Sequence, residues 1–264
     1  MTVIQASVCD NNKAIILIGD RLVTVYETYE AEAKSQKLYG FKSFGIGFSG
    51  SLSDIICIKD QIEEKPNFNE TIKLICESYK AENERREEAF LSRSTFLSKQ
   101  EFKEYVIHDQ GKIPIELIEW IYGKLDDIRL DCDAIATGFN EKNKPLIIYF
   151  NQFGDFFNRT ENYHWAIGMG EVFSDVFFDV NEYDPTCSLE EGLLFALRAK
   201  KSAEAHIGVG NATDILIIRQ TEEPILILNE SKEMNELVDI YNEERSKIQN
   251  LFNENAKKVE EILK

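Results

Sequence analysis

The opening of this chain constrains its fold more than any other feature. Apolar and small residues run from Thr2 to Cys9, the polar turn Asp10-Asn11-Asn12-Lys13 follows, and a second apolar run covers Ala14 to Gly19. Two strand-like runs split by turn residues predict an antiparallel β-hairpin. Further strands are expected at Leu22–Tyr26 and Ser43–Ser49. Helical spacing then begins near Ser53, with Ile55, Ile58 and Ile62 on one face, and again near Asn67, with Ile72, Ile75, Cys76 and Tyr79. Asn67 followed by Glu70 has the form of a capping box. The charge-dense stretch Lys80–Glu104 shows no core periodicity and is read as a solvated helical extension without chemistry. Pro114 starts another helix, with Ile115, Ile118, Tyr122 and Leu125 on its expected inner face, ending at the acidic segment Asp126–Asp133.

Strands are expected again at Ala134–Gly138, Pro145–Phe150 and Tyr163–Ile167. Two helices follow: Glu171–Val180, with Val172, Phe173, Val176 and Phe177 at core spacing, and Ser188–Ala205, opened by the capping box Ser188…Glu191. Strands Asp214–Arg219 and Pro224–Leu228 close the core, and Glu230–Lys264 reads as an amphipathic helix striped by Leu237, Tyr241, Ile248, Leu251, Phe252, Val259 and Ile262. Strands, helices, strands, helices, strands is the order of an α+β chain with helices outside a pair of antiparallel sheets, rather than of alternating βαβ units.

Composition limits the function. At 264 residues and 43% hydrophobic the chain supports one sizeable core plus an appendage. Its formal charge of −17 repels nucleic-acid phosphates and anionic membranes, so neither is an expected partner. Five cysteines are scattered singly, without a CxxC pair, which fits a reducing cytoplasm and neither a disulfide framework nor a thiolate metal site. The apolar run Ala14–Ile18 is too short for an export leader or a membrane span. Three histidines lie far apart, and no HExxH, Walker or GxSxG motif occurs. The match Gly45-x-Gly47-x-x-Gly50 lacks the βαβ context of a dinucleotide fingerprint and reads as a strand-to-helix turn.

Thr2 remains. A small residue after the initiator methionine permits its removal, which would leave a threonine that carries nucleophile and base together: the hydroxyl attacks, and the α-amine accepts its proton. Such a site needs a lysine to keep the amine from full protonation, a carboxylate to hold that lysine, and a backbone N–H to receive the oxyanion. Lys37, Asp20 and Gly50 are the candidates along the early strands.

These residues lie in an ordered set of motifs: Thr2-Val3-Ile4, Gly19-Asp20-Arg21, Lys37-Leu38-Tyr39, Ser49-Gly50-Ser51-Leu52-Ser53-Asp54, Ala166-Ile167-Gly168-Met169-Gly170 and Thr213-Asp214-Ile215-Leu216-Ile217-Ile218. In that order they resemble the proteasome β-subunit group of N-terminal nucleophile hydrolases and its bacterial relatives, over roughly residues 2–79 and 134–228. The resemblance implies a four-layer αββα sandwich over 1–229, with a helical insertion at about 80–133 and a C-terminal amphipathic helix at 230–264. It implies Thr2 as nucleophile, Asp20 and Lys37 as the acid–lysine pair, Gly50 as the oxyanion glycine, and an apolar first pocket from Val23, Ser35, Phe48 and Leu52. It implies no metal or organic cofactor, a peptide or unfolded-protein substrate, and a homo-oligomeric, ring-like assembly. The late motifs depart from the family: Met169 stands where active members often carry a serine, and His206 and Val209 stand where many support the terminal amine. An inactive scaffold of the same fold, or an amidase for small metabolites, therefore stands beside the peptidase reading.

Overall fold

The computed structural model describes residues 2–25, 29–32, 36–63, 65, 67–108 and 114–263. In chain order the elements are β1 (Ile4–Cys9), β2 (Ala14–Asp20), β3 (Leu22–Val25), β4 (Tyr29–Glu32), β5 (Leu38–Gly40), β6 (Phe44–Gly50), α1 (Leu52–Lys59), α2 (Phe68–Thr95), α3 (Lys99–His108) and α4 (Ile115–Asp127). They continue with β7 (Cys132–Phe139), β8 (Pro145–Phe150), β9 (Phe156–Asn158), β10 (His164–Ile167), α5 (Glu171–Val180), α6 (Leu189–Ala203), β11 (Thr213–Arg219), β12 (Ile225–Ile227) and α7 (Lys232–Ile262).

The expected hairpin forms, with Val8 opposite Ile15 and Ile4 opposite Gly19. It lies at the middle of an antiparallel sheet ordered β10-β1-β2-β11-β12, and a second antiparallel sheet runs β5-β6-β7-β8-β9. Strands β1 and β2 are buried throughout, so their alternation separates two apolar environments rather than core from water. Ile4, Ala6, Val8, Ile15 and Leu17 meet Ile135, Ile147 and Leu216 between the sheets. Cys9, Ala14, Ile16 and Ile18 turn instead toward Ala196 and Leu197 of α6 and Met234 of α7. On the second sheet, Phe44, Ile46 and Phe48 pack with Ile55, Ile58, Ile72, Ile75 and Tyr79 of α1 and α2.

Gly45 and Gly47 belong to this inter-sheet contact. A side chain at Gly47 would meet Ile4 and Leu38 at 2.6 and 2.8 Å, so the glycines of the GxGxxG match let β6 approach the opposite sheet.

Helix caps follow the sequence closely, and helix phases do not. Asn67 Oδ1 accepts the Glu70 N–H at 2.9 Å, and the capping box Ser188…Glu191 is complete. In α4 the inner face is Ile121 and Leu125, while Ile115 and Tyr122 are exposed, because the helix docks on Leu91 and Phe102 of α2 and α3. The stretch Lys80–Glu104 therefore has an inner side. Its Leu91 and Phe102 are buried, and its Glu82 and Arg86 form a partly buried charge network with Asp54. In α5 the residues at apparent core spacing, Val172, Phe173 and Val176, are exposed, and Ser174 and Phe178 are buried instead. A bond from Ser174 Oγ to Gln5 Oε1 at 2.5 Å and stacking of Phe178 on His164 set that phase.

Helix α7 is seated by its first half, down to the pair of Glu244 with Arg198 of α6. Met234, Leu237, Val238 and Tyr241 pack on the first sheet and α6, whereas Ile248, Leu251, Phe252, Val259 and Ile262 continue the same stripe exposed. No helix among the described residues is long and apolar enough to cross a membrane.

Candidate active site

Thr2 leads into β1, Asp20 ends β2, and Lys37 directly precedes β5, so three strand ends converge at one point. All three side chains are buried. The Thr2 hydroxyl donates to Asp20 Oδ1, and Lys37 Nζ lies 3.3 Å from the same oxygen. Lys37 also donates to the Leu22 carbonyl at 2.5 Å, and the Gly210 N–H donates to Asp20 Oδ2 at 2.6 Å. The Asp20 carboxylate is thus shared by a hydroxyl, an ammonium and an amide. Burial pushes the Asp20 carboxyl above its ordinary value, and Lys37, Thr2 and Gly210 each oppose the rise by bonding the charged form.

Gly50 closes β6, and Gly168 approaches both Thr2 and the adjoining Ser49. The Gly50 φ of +131° is open to glycine and strained for other residues. The turn is held by a bond from Ser51 N to Asp131 O at 2.6 Å and by Asp54, whose Oδ2 accepts the Asp131 N–H at 2.8 Å. Arg86 donates to Asp54 Oδ1 at 2.6 Å from α2.

A cleft of about 720 Å³ opens at Gly50, with Leu52, Asp131, Asp133, Met169 and Glu171 among its walls. Gly168, also on the wall, stands directly against Thr2: a side chain there would come within 3.1 Å of the Thr2 carbonyl carbon. The cleft is acidic, and no lysine or arginine is among the described residues that line it. Burial raises the carboxyls of both Asp133 and Glu171, and Asp133 itself adds to the rise at Glu171. Below them burial, with Glu171 and Asp179, pushes Asp175 up to about 7.

The residues read from sequence are brought together unevenly. Thr2, Asp20 and Lys37 form one bonded group, and Gly50 and Leu52 reach the cleft. Phe48 does not reach it. That ring is buried among the side chains of α1 and α2, 5.9 Å from the Tyr39 ring, on the face of β6 opposite to that of Ser49, which lines the cleft. Ser35 lies outside the described residues, as does the side chain of Val23. Met169 is exposed on the cleft wall. His206 accepts from the Gly208 N–H at 3.1 Å, a local cap, and Val209 packs on Val3 and Ala203.

Sequence reasoning passed over two elements. Arg21 forms a buried two-pronged pair with Asp214, at 2.7 and 2.6 Å, directly beyond Asp20. Lys200 is wholly buried behind Gly210. Its position in the stripe Ala196, Ala199, Lys200, Ala203 was the available signal, since a lysine on the buried face of a helix needs partners there.

No family model and no curated protein matches the sequence. Solved structures do match the fold. Anbu (ancestral beta-subunit) from Yersinia bercovieri superposes with a TM-score of 0.62 at 14% identity, covering 94% of this chain and 97% of that one. An Anbu (Gly-1) mutant from Hyphomicrobium sp. strain MC1 gives 0.63 at 12% identity, covering 96% and 97%. The chain of the helical assembly of the Anbu complex from Pseudomonas aeruginosa gives 0.64 at 14%, covering 96% of each. The fold is therefore that of the Anbu structures, and the resemblance to the proteasome β-subunit group needs correction: the solved structures it matches are Anbu (ancestral beta-subunit) proteins, a distinct family.

Proposed function

We propose that this chain is a threonine-nucleophile amidohydrolase on an Anbu-like fold, with its helices and two sheets layered αββα, that cleaves peptide bonds from Thr2 once Met1 is removed. The observation that carries the reading is the Asp20 carboxylate held between the Thr2 hydroxyl and Lys37, all buried at one meeting of strand ends.

In the proposed reaction the Thr2 oxygen attacks the substrate carbonyl while its proton passes to the freed α-amine. Lys37, held by Asp20 and the Leu22 carbonyl, supplies the positive potential that disfavours a protonated amine. The tetrahedral oxyanion is received at the Gly50 amide. Collapse breaks the C–N bond, the amine proton leaves with the departing nitrogen, and water hydrolyses the ester on Thr2. The chain's own groups suffice for these steps. The acidic cleft beside Gly50 favours polar or cationic substrate groups over the apolar ones that a pocket of Val23, Ser35, Phe48 and Leu52 would take.

Assembly as a homo-oligomer is part of the proposal. The exposed half of α7 and the exposed apolar side of α5 are surfaces a monomer would not leave in water, and one fold neighbour is described as a helical assembly. A second reading, a scaffold without turnover, is favoured by Val209, whose side chain packs on Val3 and Ala203 next to Thr2 and offers no polar atom to a freed amine.

Intact mass of native protein, followed by reaction with a β-lactone and peptide mapping, separates the readings. Acylation at Thr2 that is lost in Thr2→Ala and in Lys37→Ala supports the enzyme. A protein that starts at Thr2, is folded and remains unlabelled supports the scaffold.

A further inference from the structure

We infer that Lys200 is a positioning residue for the Thr2 centre, acting through the backbone of the loop at 210–211 to aim Asp20; the inference rests on the amidohydrolase reading for its kinetic consequence. Lys200 lies on α6 with none of its surface exposed. Its ammonium donates to the Gly210 carbonyl at 2.7 Å and to the Asn211 carbonyl at 3.2 Å, and it pairs with Glu204 one helical turn on. Gly210, whose carbonyl Lys200 holds, donates its own N–H to Asp20 Oδ2 at 2.6 Å. The other Asp20 oxygen takes the Thr2 hydroxyl and Lys37. Lys200 is thus two hydrogen bonds from Asp20 and three from the reacting Thr2 oxygen, and touches none of the reacting atoms.

The physical case is geometric. A carboxylate that serves two partners through one oxygen rotates easily about χ2 unless its second oxygen is fixed, and here one amide fixes it. That amide is on a segment between α6 and β11 with no strand pairing of its own. Two carbonyls drawn onto a buried ammonium pin the segment from behind, which is what a supporting shell does for a preorganised site. A lysine suits the task because its three donors reach two carbonyls and one carboxylate together. Burying an ammonium is costly, and surface position would have served α6 equally well, so the placement points to the loop rather than to the helix.

The test compares wild type, Lys200→Met, Asp20→Asn and the double variant, each checked for folding by circular dichroism. Met fills the volume, and Glu204 keeps Lys201 at 2.8 Å, so the substitution does not leave Glu204 unpaired. The expected β-lactone acylation rate of Lys200→Met is about 100-fold below wild type, the size of effect that a misplacement of about 1 Å produces. The double variant should be no slower than Asp20→Asn, because both act on one group. Independent effects that multiply, or a folded Lys200→Met that labels at the wild-type rate, would overturn the inference. If Lys200→Met does not fold, Lys200→Gln replaces it.

A second readout does not require activity. In a protein labelled with ¹⁵N-glycine, the Gly210 amide proton, bonded to a carboxylate, is expected far downfield and should return toward the ordinary glycine range in Lys200→Met as it does in Asp20→Asn. An unmoved Gly210 resonance sinks the Lys200 inference whatever the labelling shows. Failure of wild type to label, with the amide shift present, sinks the threonine-nucleophile reading and leaves the placement of Asp20 by Lys200 standing.

Discussion

Gly50→Ala is the perturbation whose cost the structure sets most directly. At φ +131° an alanine is confined to a region that only glycine occupies freely, a conformational penalty of about 1–3 kcal/mol. Its methyl group would lie 2.7 Å from Cys132 Cα and 2.9 Å from the Asp131 carbonyl carbon, so backbone must move rather than a side-chain tip. That backbone is held from two directions, by Ser51 N at 2.6 Å and by Asp54 at 2.8 Å, and Asp54 is itself anchored by Arg86. Strain that cannot relax adds to the conformational term, and the sum is on the order of 3–5 kcal/mol. For a chain of this length each kcal/mol moves the melting temperature by about 2–4 °C. Urea unfolding of Gly50→Ala should show the full loss, and acylation of Thr2 should slow as well, because the oxyanion amide moves with the turn. Gly123→Ala is the matched control: it is mid-helix in α4, an added methyl meets nothing within 4 Å, and it should gain about 0.5–1 kcal/mol from helix propensity. A Gly50→Ala loss under about 1 kcal/mol, with labelling at the wild-type rate, would refute both the strain and the role assigned to the turn.

Three further outcomes are expected. Arg21→Met should cost about 3–5 kcal/mol in urea unfolding, since it strands the buried Asp214 carboxylate; a loss below 1 kcal/mol would count against the pair. Asp175, pushed up to about 7, favours the fold in its protonated form, a contribution whole below about pH 3.8 and lost as pH rises through about 7. Asp175→Asn should therefore be more stable than wild type at pH 8, the gap closing as the pH falls toward 4, and a gap independent of pH would contradict this. Ending the chain after Lys247 removes the exposed part of the α7 stripe and keeps its seat at Met234–Tyr241, so sedimentation should report a smaller assembly at unchanged unfolding midpoint. An unchanged assembly would free that stripe of any role between copies.

What the sequence disclosed was governed by range. The hairpin and the caps at Asn67 and Ser188 are local patterns, and each lies where its pattern places it. Helix phase is not local. Val172, Phe173 and Val176 are as apolar as any core face, and it is the bond from Ser174 to Gln5, across 169 residues of sequence, with the stacking of Phe178 on His164, that turns α5 the other way. The same limit hid the inner side of α2, where Glu82 and Arg86 look like solvated i,i+4 charges until Asp54 is brought beside them. Phe48 shows the cost of a single step along a strand: Ser49 next to it lines the cleft, and its own ring faces the helices.

The buried charges have a common arrangement. Lys37 holds Asp20 and Lys200 holds the loop whose Gly210 reaches it, Arg21 grips Asp214, and Arg86 grips Asp54 behind the Gly50 turn, so that each joins segments separated in sequence. Buried pairs of this kind add little net stability over apolar residues of the same volume, because desolvation offsets attraction. Apolar replacements would hold the layers together without choosing between alternative placements of the loops. Ion pairs choose, since a charge displaced by one residue is left bare in a medium that penalises it heavily. Asp20 and Arg21 illustrate the consequence: adjacent in sequence, they point one to the Thr2 side and the other to β11, and together they fix the end of β2 in direction as well as register. The Arg21→Met measurement bears on this when Thr2 acylation is followed alongside unfolding. Slowed acylation in protein that is still folded is what a positional role requires, whereas unchanged acylation would confine the pair to stability alone.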